Sequence, residues 1–411
     1  MKHRVVITGM AGLSPLGCNW EAVSKCLLAG TSGIEAMPEW AEVDGLQTRL
    51  GGPVHGFEVP DHWARKKTRT MGRVSLLSTR ATEMALEDAG LLGSPEISDG
   101  STGISHGSTS GSPPMIGEYS IRLAHHRSMK GLAPALYIQF MSHTTAANMA
   151  QFFGVRGRII TTCSACTSGS QGIGSGYDAV RYGQQKIMIA GGAEELHVAS
   201  SAVFDVMYAT STRNDTPTET PRPFDESRDG LVIGEGAGTL IVEELEHALA
   251  QHTHIHAEIV GYATNCDGDH MVNPSSEGME AVMRQALDGA GLSPADIGYV
   301  NAHGTATEVG DIAESQATAR VFGSKTPMST IKGHMGHTLG AAGALEAWMT
   351  VCMMRERWFC PTLNLKRVDP RCGELDYIRG DVRKTHAEYV MSNNFAFGGI
   401  NTSLIFRKFE R

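Results

Sequence analysis

Residues 158–176 read RIITTCSACTSGSQGIGSG, a β-branched run followed by two cysteines and then a long series of small residues. The β-branched run predicts a buried strand, and the small residues predict a helix that other backbone segments can approach closely. Four kinds of site fit such a stretch: a redox Cys-x-x-Cys pair, half of a zinc site, a glycine-rich phosphate cradle, and a cysteine nucleophile at a strand-to-helix turn. Each of them requires different companions elsewhere in the chain.

The first three kinds of site find little support in the rest of the sequence. A zinc site on Cys163 and Cys166 needs a second ligand pair, for which HMGH at 334–337 is the candidate. In a redox pair the first cysteine opens the helix, whereas here the second one precedes it directly. The glycines of GIGSG at 172–176 lie inside the predicted helix and not in the turn before it, which disfavours nucleotide binding. We therefore expect no metal at this position.

The nucleophile reading accounts for the whole stretch. It places Cys166 at a helix N-terminus, where unpaired amides and the helix dipole favour the thiolate and lower the thiol pKa. Cys163, on the strand side of the turn, is then a small buried apolar residue. Two histidines in glycine-bounded loops, His303 in NAHGTATEVGD and His337 in STIKGHMGHTLGAAG, are candidates to stabilise negative charge on a thioester oxygen.

Composition limits the partners and the compartment. The 411-residue chain has a net charge of −9, which argues against a general nucleic-acid role. Its eight cysteines are not spaced as in a disulfide-rich protein. Glycine and proline interrupt the first apolar run before a signal peptide or membrane span could form. We therefore expect a cytoplasmic protein. One basic cluster, either a solvated helix face or a docking patch for an acidic partner, consists of Arg65, Lys66, Lys67, Arg69 and Arg73.

Short β-rich runs alternate with helical stretches along the chain, which predicts an α/β fold with buried sheets. The runs lie at 4–10, 101–108, 157–162, 186–192, 238–244, 257–264, 297–304 and 401–408, and the helical stretches at 75–90, 275–291 and 310–323. A strand followed by a glycine loop occurs in VVITGMAG and again in YVNAHGTAT. This echo favours an architecture of two related halves.

Five motifs in a fixed order carry a family resemblance: SACTSG, RPFDESRDGLVIGEGAG, NAHGTAT followed by GD, K-x-x-x-x-H-T-L-G-A-A-G-A-L-E-A, and NNFAFGGIN. Together they resemble the β-ketoacyl-acyl carrier protein synthases, nearest the elongating type II enzymes, from Arg4 to about Phe406. The resemblance implies a five-layer αβαβα thiolase fold of two pseudo-repeated halves. We expect residues 1–250 to carry the nucleophile and residues 251–411 the two histidines.

The resemblance also implies a reaction and its residues. The family's Cys-His-His triad maps onto Cys166, His303 and His337, its essential lysine onto Lys332, and a buried carboxylate near it onto Glu346. An acyl chain would pass from a carrier-protein phosphopantetheine to the cysteine, and malonyl-carrier protein would then lose CO2 to give the attacking carbanion. No separate cofactor is implied. The lysine and its carboxylate either take part in this chemistry or only organise their loop.

Further positions are expected to contact substrate. Phe397 matches the gating phenylalanine, whose backbone amide would join that of Cys166 in a second oxyanion hole, and other substrate-binding positions implied by the resemblance are Phe395, Gly398, Gly399, Thr305, Thr307, Phe204 and His270. Ser110 falls near the far end of the acyl pocket, where a bulky aliphatic residue is usual. The small side chain indicates either a deeper pocket or drift compensated elsewhere. Ile331 and the pair at 333–334 also depart from the small hydroxyl residues usual beside the lysine.

The resemblance supplies a partner for the basic cluster, because acyl carrier proteins are strongly acidic. It also implies a homodimer or a heterodimer with a chain-length factor. The sequence of MGRVSLLSTRATEMALEDAG most resembles that of ketosynthases from aryl-polyene pathways. Two alternatives are a thiolase-like coenzyme A enzyme and a non-catalytic chain-length factor. Cys360 and Cys372 lack the Cys-x-Gly context of a thiolase, and retention of the complete triad argues against the second alternative.

Overall fold

The computed structural model describes residues 2–410. Its strands are β1 (Val5–Leu13), β2 (Glu35–Ala36), β3 (Leu50–Gly52), β4 (Thr102–Gly107), β5 (Ile159–Ile160), β6 (Ile187–Glu194), β7 (Ile233–Gly234), β8 (Gly236–Glu244), β9 (Ala257–Cys266), β10 (Ile297–Asn301), β11 (Pro327–Ser329), β12 (Trp358–Phe359), β13 (Asp376–Tyr377), β14 (Arg383–Lys384), β15 (Tyr389–Ala396) and β16 (Ile400–Lys408).

Helices connect most of these strands. They are α1 (Trp20–Ala29), α2 (Arg65–Thr68), α3 (Arg73–Asp88), α4 (Pro113–Ser120), α5 (Pro134–Phe140), α6 (Thr144–Phe153), α7 (Ser168–Arg181), α8 (Val198–Asp205), α9 (Leu245–Ala250), α10 (Ser276–Ala290), α11 (Glu308–Phe322), α12 (Lys332–Met335) and α13 (Ala342–Glu356). Within residues 2–410, no helix has the length and apolar character needed to cross a membrane.

Eleven strands form one continuous sheet in the order β13-β11-β10-β15-β16-β9-β1-β8-β6-β4-β5. The junction between its two parts is the antiparallel pairing of β1 with β9, in which residues 5–7 face residues 257–259. On one side of the junction, β1, β8 and β6 pair antiparallel, and β6, β4 and β5 pair parallel. On the other side, β9, β16 and β15 pair antiparallel, and β15, β10 and β11 pair parallel.

The two parts therefore repeat one topology. β1, β4, β5, β6 and β8 correspond in order and direction to β9, β10, β11, β15 and β16. Helix α7 enters the first part between β5 and β6, and α13 enters the second between β11 and β15. The predicted fold of two pseudo-repeated halves is confirmed, whereas the division at residue 250 stays a prediction.

The helices complete five layers. α3 and α6 cover the outer face of the first part, α10 and α11 cover that of the second, and α7 packs against α13 between the two. The segment AGALEAWMTVCMM of α13 is buried on all sides, as expected for a helix without a polar face. The largest core cluster surrounds these central helices and includes Ile173, Tyr177, Trp348 and Met349.

The small residues of α7 do allow close packing. A Cβ on Gly172 would lie 2.4 Å from the carbonyl oxygen of Gly191 in β6, and one on Gly169 would lie 2.8 Å from the amide nitrogen of Ala344 in α13. Both contacts are with backbone, which cannot move aside. Glycine at these positions therefore brings the start of α7 against both β6 and α13.

Two expectations about the strands are wrong. The run at 157–162 forms only the two-residue strand β5 at the end of the sheet, and Ile159 is 46 % exposed, so β5 is an edge strand and not a buried one. The echo of VVITGMAG and YVNAHGTAT pairs β1 with β10, but topology matches β1 with β9. Glycine loops follow many strands. The repeated pattern therefore indicated two halves correctly, but it did not identify which strands are equivalent.

Candidate active site

Cys166 lies in the 3₁₀ turn Ala165–Thr167, between β5 and α7. Ala165 has φ +49°, a left-handed conformation that is unusual for a residue other than glycine. Ser168 holds the turn by accepting the backbone N–H of Ser164 at 3.0 Å and donating to the carbonyl of Ala165 at 2.7 Å. The sharp strand-to-helix turn expected of a nucleophile is present, and Cys166 is only 5 % exposed.

Burial changes the ionisation expected of this thiol. Removal from water raises the pKa of Cys166 to about 12, although the Lys332 ammonium opposes the shift. The backbone at the helix start does lower the thiol pKa as predicted, but burial outweighs this contribution, so the predicted net shift is reversed. The group begins as a neutral thiol because desolvation of a fully buried thiolate outweighs the nearby positive charge.

Cys163 was predicted to be buried and is exposed instead. Its Sγ donates to the carbonyl oxygen of Thr109 at 2.9 Å, in the loop that follows β4. The strand side of the turn is solvent-accessible because β5 is the edge of the sheet. The two cysteines thus differ in environment, and only Cys166 faces the histidines.

His303 follows β10 and is held through its backbone. The N–H groups of His303 and Gly304 donate to the Glu314 carboxylate on α11 at 2.6 and 2.7 Å. The N–H of Ala306, a residue with φ +67°, donates to Asp311 on the same helix at 3.1 Å. The first two turns of α11 therefore fix the loop that carries the imidazole.

His337 is held by the chain on both sides of it. Its N–H donates to the carbonyl of Val232 at 2.7 Å, and its Nδ1 accepts the N–H of Leu339 at 3.3 Å. Leu339 has φ +46° and opens the 3₁₀ turn Leu339–Ala341 before α13. Because Nδ1 accepts a hydrogen bond, the proton of the neutral ring lies on Nε2, which has no partner within residues 2–410.

The imidazole of His303 has the same tautomer for a different reason. Its Nδ1 lies 3.2 Å from Nζ of Lys332 and 3.4 Å from Nδ2 of Asn394, both of which are donors. Lys332 also donates to Glu346, which accepts from Asn394 at 2.7 Å. This network leaves Nδ1 of His303 as an acceptor and Nε2 as a donor.

Both histidines are neutral. Burial, with Lys332 as the next contribution, holds the pKa of His303 and of His337 well below the ordinary value. Their ring centroids are 5.1 Å apart at an interplanar angle of 88°. The site therefore presents two neutral N–H donors beside one thiol, an arrangement suited to stabilising negative charge on an oxygen.

The thiol and the imidazoles come close enough to raise the question of a metal. Potential ligand atoms of Cys166, His303 and His337 all lie within 4.8 Å of one another. A metal on Nε2 would require the proton on Nδ1, where Leu339, Lys332 and Asn394 present donors. The residues do not fit a metal. The alternative of a zinc site with HMGH finds no support either, since both ring nitrogens of His334 face carbonyls, of Thr31 and Pro361.

The triad opens into a cavity of about 230 Å³. Its walls include most of the predicted substrate-binding residues, namely Phe204, His270, Thr305, Thr307, Phe395, Phe397 and Gly399. Phe395 lies edge-on to His303, with ring centroids 6.0 Å apart. Cys360 and Cys372, the cysteines that a thiolase would have to use, lie outside the cavity walls.

Phe397 packs against Phe204 at the side of the cavity, with ring centroids 5.3 Å apart. The next two residues, Gly398 and Gly399, have φ +87° and φ +70°. A Cβ on Gly399 would lie 2.9 Å from Cβ of Asp267, so a side chain cannot replace this glycine without movement. Gly398 is not among the residues that line the cavity, and it donates its N–H to the carbonyl of Met271 at 2.8 Å.

Ser110 does not line this cavity. The residue is exposed in the loop after β4. It directly follows Thr109, which contacts Glu194 and Cys163. The expectation that Ser110 lies near the far end of the acyl pocket is not supported by this cavity and stays a prediction. The resemblance identifies which residue of the loop corresponds to the family position. The path that the loop follows in space depends on tertiary contacts, which the sequence does not show.

The basic cluster divides into two groups. Arg65, Lys66 and Arg69 are exposed and form no ion pair within residues 2–410. Lys67 donates to the carbonyl of Phe152 at 2.7 Å. Arg73 makes a two-pronged contact with Glu235, at 2.6 and 2.9 Å, and Glu235 is buried. This guanidinium neutralises a buried carboxylate, which indicates a structural role, and its place in a docking patch stays a prediction.

Sequence reasoning missed three polar residues around the site: Glu194, Glu314 and Asn394. Glu314 could have been found, because an acid on an apolar face near the start of a helix, just after a candidate histidine loop, is a signal for backbone anchoring. Glu194 ends an apolar strand, and Asn394 lies in a quoted motif. Neither pattern distinguishes an anchoring residue from a solvated one.

The chain matches two family models that divide it between them. Residues 2–248 match "Beta-ketoacyl synthase, N-terminal domain", and residues 256–366 match "Beta-ketoacyl synthase, C-terminal domain". The chain belongs to the β-ketoacyl synthase family. This is a family of condensing acyltransferases that form carbon–carbon bonds, and the thiolase fold and the recognition made from the motifs are confirmed.

Relatives of this β-ketoacyl synthase span its full length. 3-Oxoacyl-[acyl-carrier-protein] synthase 1 of Haemophilus influenzae is 37 % identical, with 99 % of this chain and 100 % of the relative covered. A crystal structure of a β-ketoacyl synthase from Burkholderia phymatum is 55 % identical, covers 100 % of both chains and has a TM-score of 0.98.

Two further solved structures include partners of related proteins, and each covers 100 % of both chains. The ishigamide ketosynthase/chain length factor is 29 % identical with a TM-score of 0.90. A type II polyketide ketosynthase solved in complex with its acyl-carrier protein is 28 % identical with a TM-score of 0.89.

Proposed function

We propose that the chain is a 3-oxoacyl-acyl carrier protein synthase that catalyses decarboxylative Claisen condensation. The observation that carries the proposal is the meeting of one buried thiol with two Nε2–H donors in a single cavity. A nucleophile can hold an acyl group there while the donors act on a second substrate. Each half of the fold contributes to this cavity, Cys166 from the first and the histidines from the second.

In the first step, Cys166 takes the acyl group from a carrier thioester. A sulfur–carbon bond forms at Cys166, the bond to the carrier arm breaks, and the thiol proton passes to the departing sulfur. Because burial keeps the thiol neutral, we expect proton loss to accompany the attack and not to precede it. Enclosure of the thiol at 5 % exposure also keeps water away from the acyl-cysteine.

In the second step, a malonyl group on the carrier arm loses CO2 and leaves an enolate. The Nε2–H groups of His303 and His337 donate to its oxygen as negative charge develops, and each such donor is worth about 3 kcal/mol in comparable sites. The enolate carbon then attacks the acyl-cysteine, the bond from carbon to sulfur breaks, and the thiolate that leaves takes a proton from solvent. The products are a 3-oxoacyl group on the carrier, CO2 and the free thiol.

We assign Lys332 a supporting part in this reaction. It is fully buried, and its ammonium faces Glu346 and Nδ1 of His303, 3.2 Å away, so it contacts a catalytic ring without lining the cavity. Burial is the main reason that the pKa of His303 is lowered, and the positive charge of Lys332 adds to this effect while its N–H fixes the tautomer. The pair with Glu346 balances the buried charge, as a lysine in this position requires.

The carrier protein is proposed to dock where the cavity opens. Four apolar residues of the cavity wall are also exposed at its mouth: Met207 at 37 %, Val272 at 40 %, Val309 at 55 % and Met271 at 71 %. An arm that reaches Cys166 through this mouth brings its protein onto the apolar rim. Exposed Arg65, Lys66 and Arg69 would attract the acidic carrier over a longer distance.

A second subunit is proposed to cover the edge of the sheet at β5. Exposed apolar residues run from Ile116 on α4 through Tyr137 on α5 to Ile159 on β5, at 48 %, 54 % and 46 % exposure. An unpaired edge strand with apolar surroundings favours pairing with another chain. The partner is either a second copy or a chain-length factor, and sedimentation of the purified chain would distinguish a homodimer from a monomer awaiting its partner.

The test of the function is transfer of an acyl group, followed by intact-mass analysis, with Cys166→Ala compared with Cys163→Ala. Wild type and Cys163→Ala should gain the acyl mass and condense it with malonyl-carrier protein, whereas Cys166→Ala should lose condensation by at least about a thousandfold. Equal acylation of Cys166→Ala would reject the proposal. A panel of saturated and polyene acyl groups tests the aryl-polyene assignment, which stays a prediction.

A further inference from the structure

Glu194 ends β6 and is fully buried, with 0 % exposure. Its carboxylate has no cationic partner within residues 2–410 and accepts only from neutral donors. They include the backbone N–H of Thr109 at 3.2 Å, the hydroxyl of Thr109 at 2.8 Å and the backbone N–H of Gly340 at 2.9 Å, and the backbone N–H of Glu195 also contributes. Burial of an acid without a positive charge is unfavourable, so such a group calls for an explanation.

The donor from Gly340 connects this carboxylate to the catalytic centre. Gly340 lies in the 3₁₀ turn that follows His337, directly after Leu339 with its φ of +46°. The N–H of Leu339 is the group that donates to Nδ1 of His337, at 3.3 Å. A Cβ on Gly340 would lie 2.9 Å from the Glu194 carboxylate, so the turn and the acid fit together only with glycine.

We propose that Glu194 is a positioning residue for His337. By accepting from Gly340 and from Thr109, it holds the left-handed turn at Leu339 and so keeps the proton of His337 on Nε2. Glu194 is absent from the cavity wall, and it therefore acts through the turn and not on substrate. This inference rests on the proposed function, because it assigns His337 a donor role.

The chemistry of the side chain predicts which substitutions the turn tolerates. In Glu194→Gln, the amide oxygen can accept both backbone N–H groups while its NH2 faces the Thr109 hydroxyl, which rotates to accept. In Glu194→Ala, both acceptor oxygens are lost, so the N–H groups of Thr109 and Gly340 are left buried without this partner. A requirement for hydrogen bonds thus predicts rescue by glutamine, and a requirement for charge does not.

The experiment measures two half-reactions separately for wild type, Glu194→Ala and Glu194→Gln. Acyl transfer to Cys166 is followed by intact mass, and decarboxylation of malonyl-carrier protein by CO2 release. A misplaced donor affects the second reaction, so Glu194→Ala should lose about 30- to 100-fold in decarboxylation while acyl transfer changes less than about threefold. Glu194→Gln should stay within about threefold of wild type in both reactions.

Glu243→Ala is the matched control. Glu243 is also a buried acid at 1 % exposure, but it accepts from Thr8 at 2.9 Å and pairs with His247, away from the cavity. Folded Glu243→Ala should keep both rates. Melting curves separate loss of folding from loss of function in every variant.

The results have separate meanings. A folded Glu194→Ala with wild-type decarboxylation overturns the positioning role, and so does an equal loss in both half-reactions. If Glu194→Ala fails to fold, Glu194→Gln decides alone: a loss greater than about tenfold in that variant rejects hydrogen bonding as the cause. Absence of both reactions in wild type would instead reject the proposed function.

Discussion

The two halves of the molecule use the same strained turn for different purposes. α7 and α13 occupy equivalent places in the repeat, and each is preceded by a 3₁₀ turn that opens with a left-handed, non-glycine residue, Ala165 at φ +49° and Leu339 at φ +46°. The following residue is Cys166 in one half and Gly340 in the other. One turn presents a thiol, whereas the other presents backbone N–H groups that orient His337 and contact Glu194.

The strand ends show the same division of labour. β4 and β10 are equivalent, but β4 leads to Thr109, which contacts Glu194, and β10 leads to His303, which faces the thiol. Pseudo-symmetry therefore brings two helix starts and two strand ends to one place, and unequal side chains there make the site. Neither half alone contains both a nucleophile and the donors.

The largest expected effect separates the contributions of the halves. His303→Ala and His337→Ala each remove one N–H donor, so malonyl decarboxylation should fall by about 10²- to 10³-fold. Acyl transfer to Cys166 should fall much less, because the thiol belongs to the other half. CO2 release and intact mass measure the two reactions, with exposed His125→Ala as the control. Equal losses in both reactions would contradict the division.

The next test concerns the ionisation of the thiol in the first half. Because burial raises the pKa of Cys166 to about 12, alkylation of Cys166 by iodoacetamide should rise by about tenfold for each pH unit from 7 to 10. Mass mapping distinguishes it from exposed Cys163. If the alkylation rate instead stops rising near neutral pH, the thiol is already ionised there. The helix start would then outweigh burial, contrary to the structure.

The long-range attraction of the carrier protein should depend on the basic residues of the first half alone. Replacing Arg65, Lys66 and Arg69 together by alanine should raise KM for acyl-carrier protein by about tenfold at low salt, and the difference should shrink as salt increases. Activity with a small pantetheine thioester should not change. The matched control replaces three exposed basic residues near the other end of the sheet, Lys325, Arg379 and Lys384. An equal rise in KM for the control would show that the attraction depends on the net charge of the protein and not on this cluster.

The smallest effect on catalysis is expected at Arg73. Arg73→Ala leaves the buried carboxylate of Glu235 without its cation, so the free energy of unfolding should fall by about 1–3 kcal/mol. KM for the carrier protein should stay at the wild-type value. Denaturant unfolding and steady-state kinetics measure the two quantities. A stable variant with weakened docking would return Arg73 to the carrier surface.

Much of the site was predictable because its motifs are long and ordered. Cys166, His303, His337, Lys332 and Glu346 were named from the sequence, and the structure brings all five together. Local strand and helix patterns likewise indicated an α/β fold in two halves. Sequence reasoning therefore finds a site residue when the residue lies within a motif that is recognisable by itself.

Quantities set by tertiary surroundings were not predictable. The position of β5 at the sheet edge decides that Cys163 is exposed, and complete burial decides that the Cys166 thiol is neutral. Arg73 looked like its basic neighbours until Glu235, 162 residues away, was placed beside it. A charge or a thiol in the sequence has no fixed environment until distant elements pack against it.

The junction between the halves also has a consequence for biosynthesis. β1 lies between β8 and β9, yet it precedes β8 by about 230 residues. At typical rates of translation, β1 waits on the order of ten to fifty seconds for either neighbour. Its apolar segment VVITGMAGL is buried throughout in the final structure. On the ribosome this apolar strand therefore has neither of its native neighbours until the middle of the polypeptide emerges, which is when non-native contacts are most favoured.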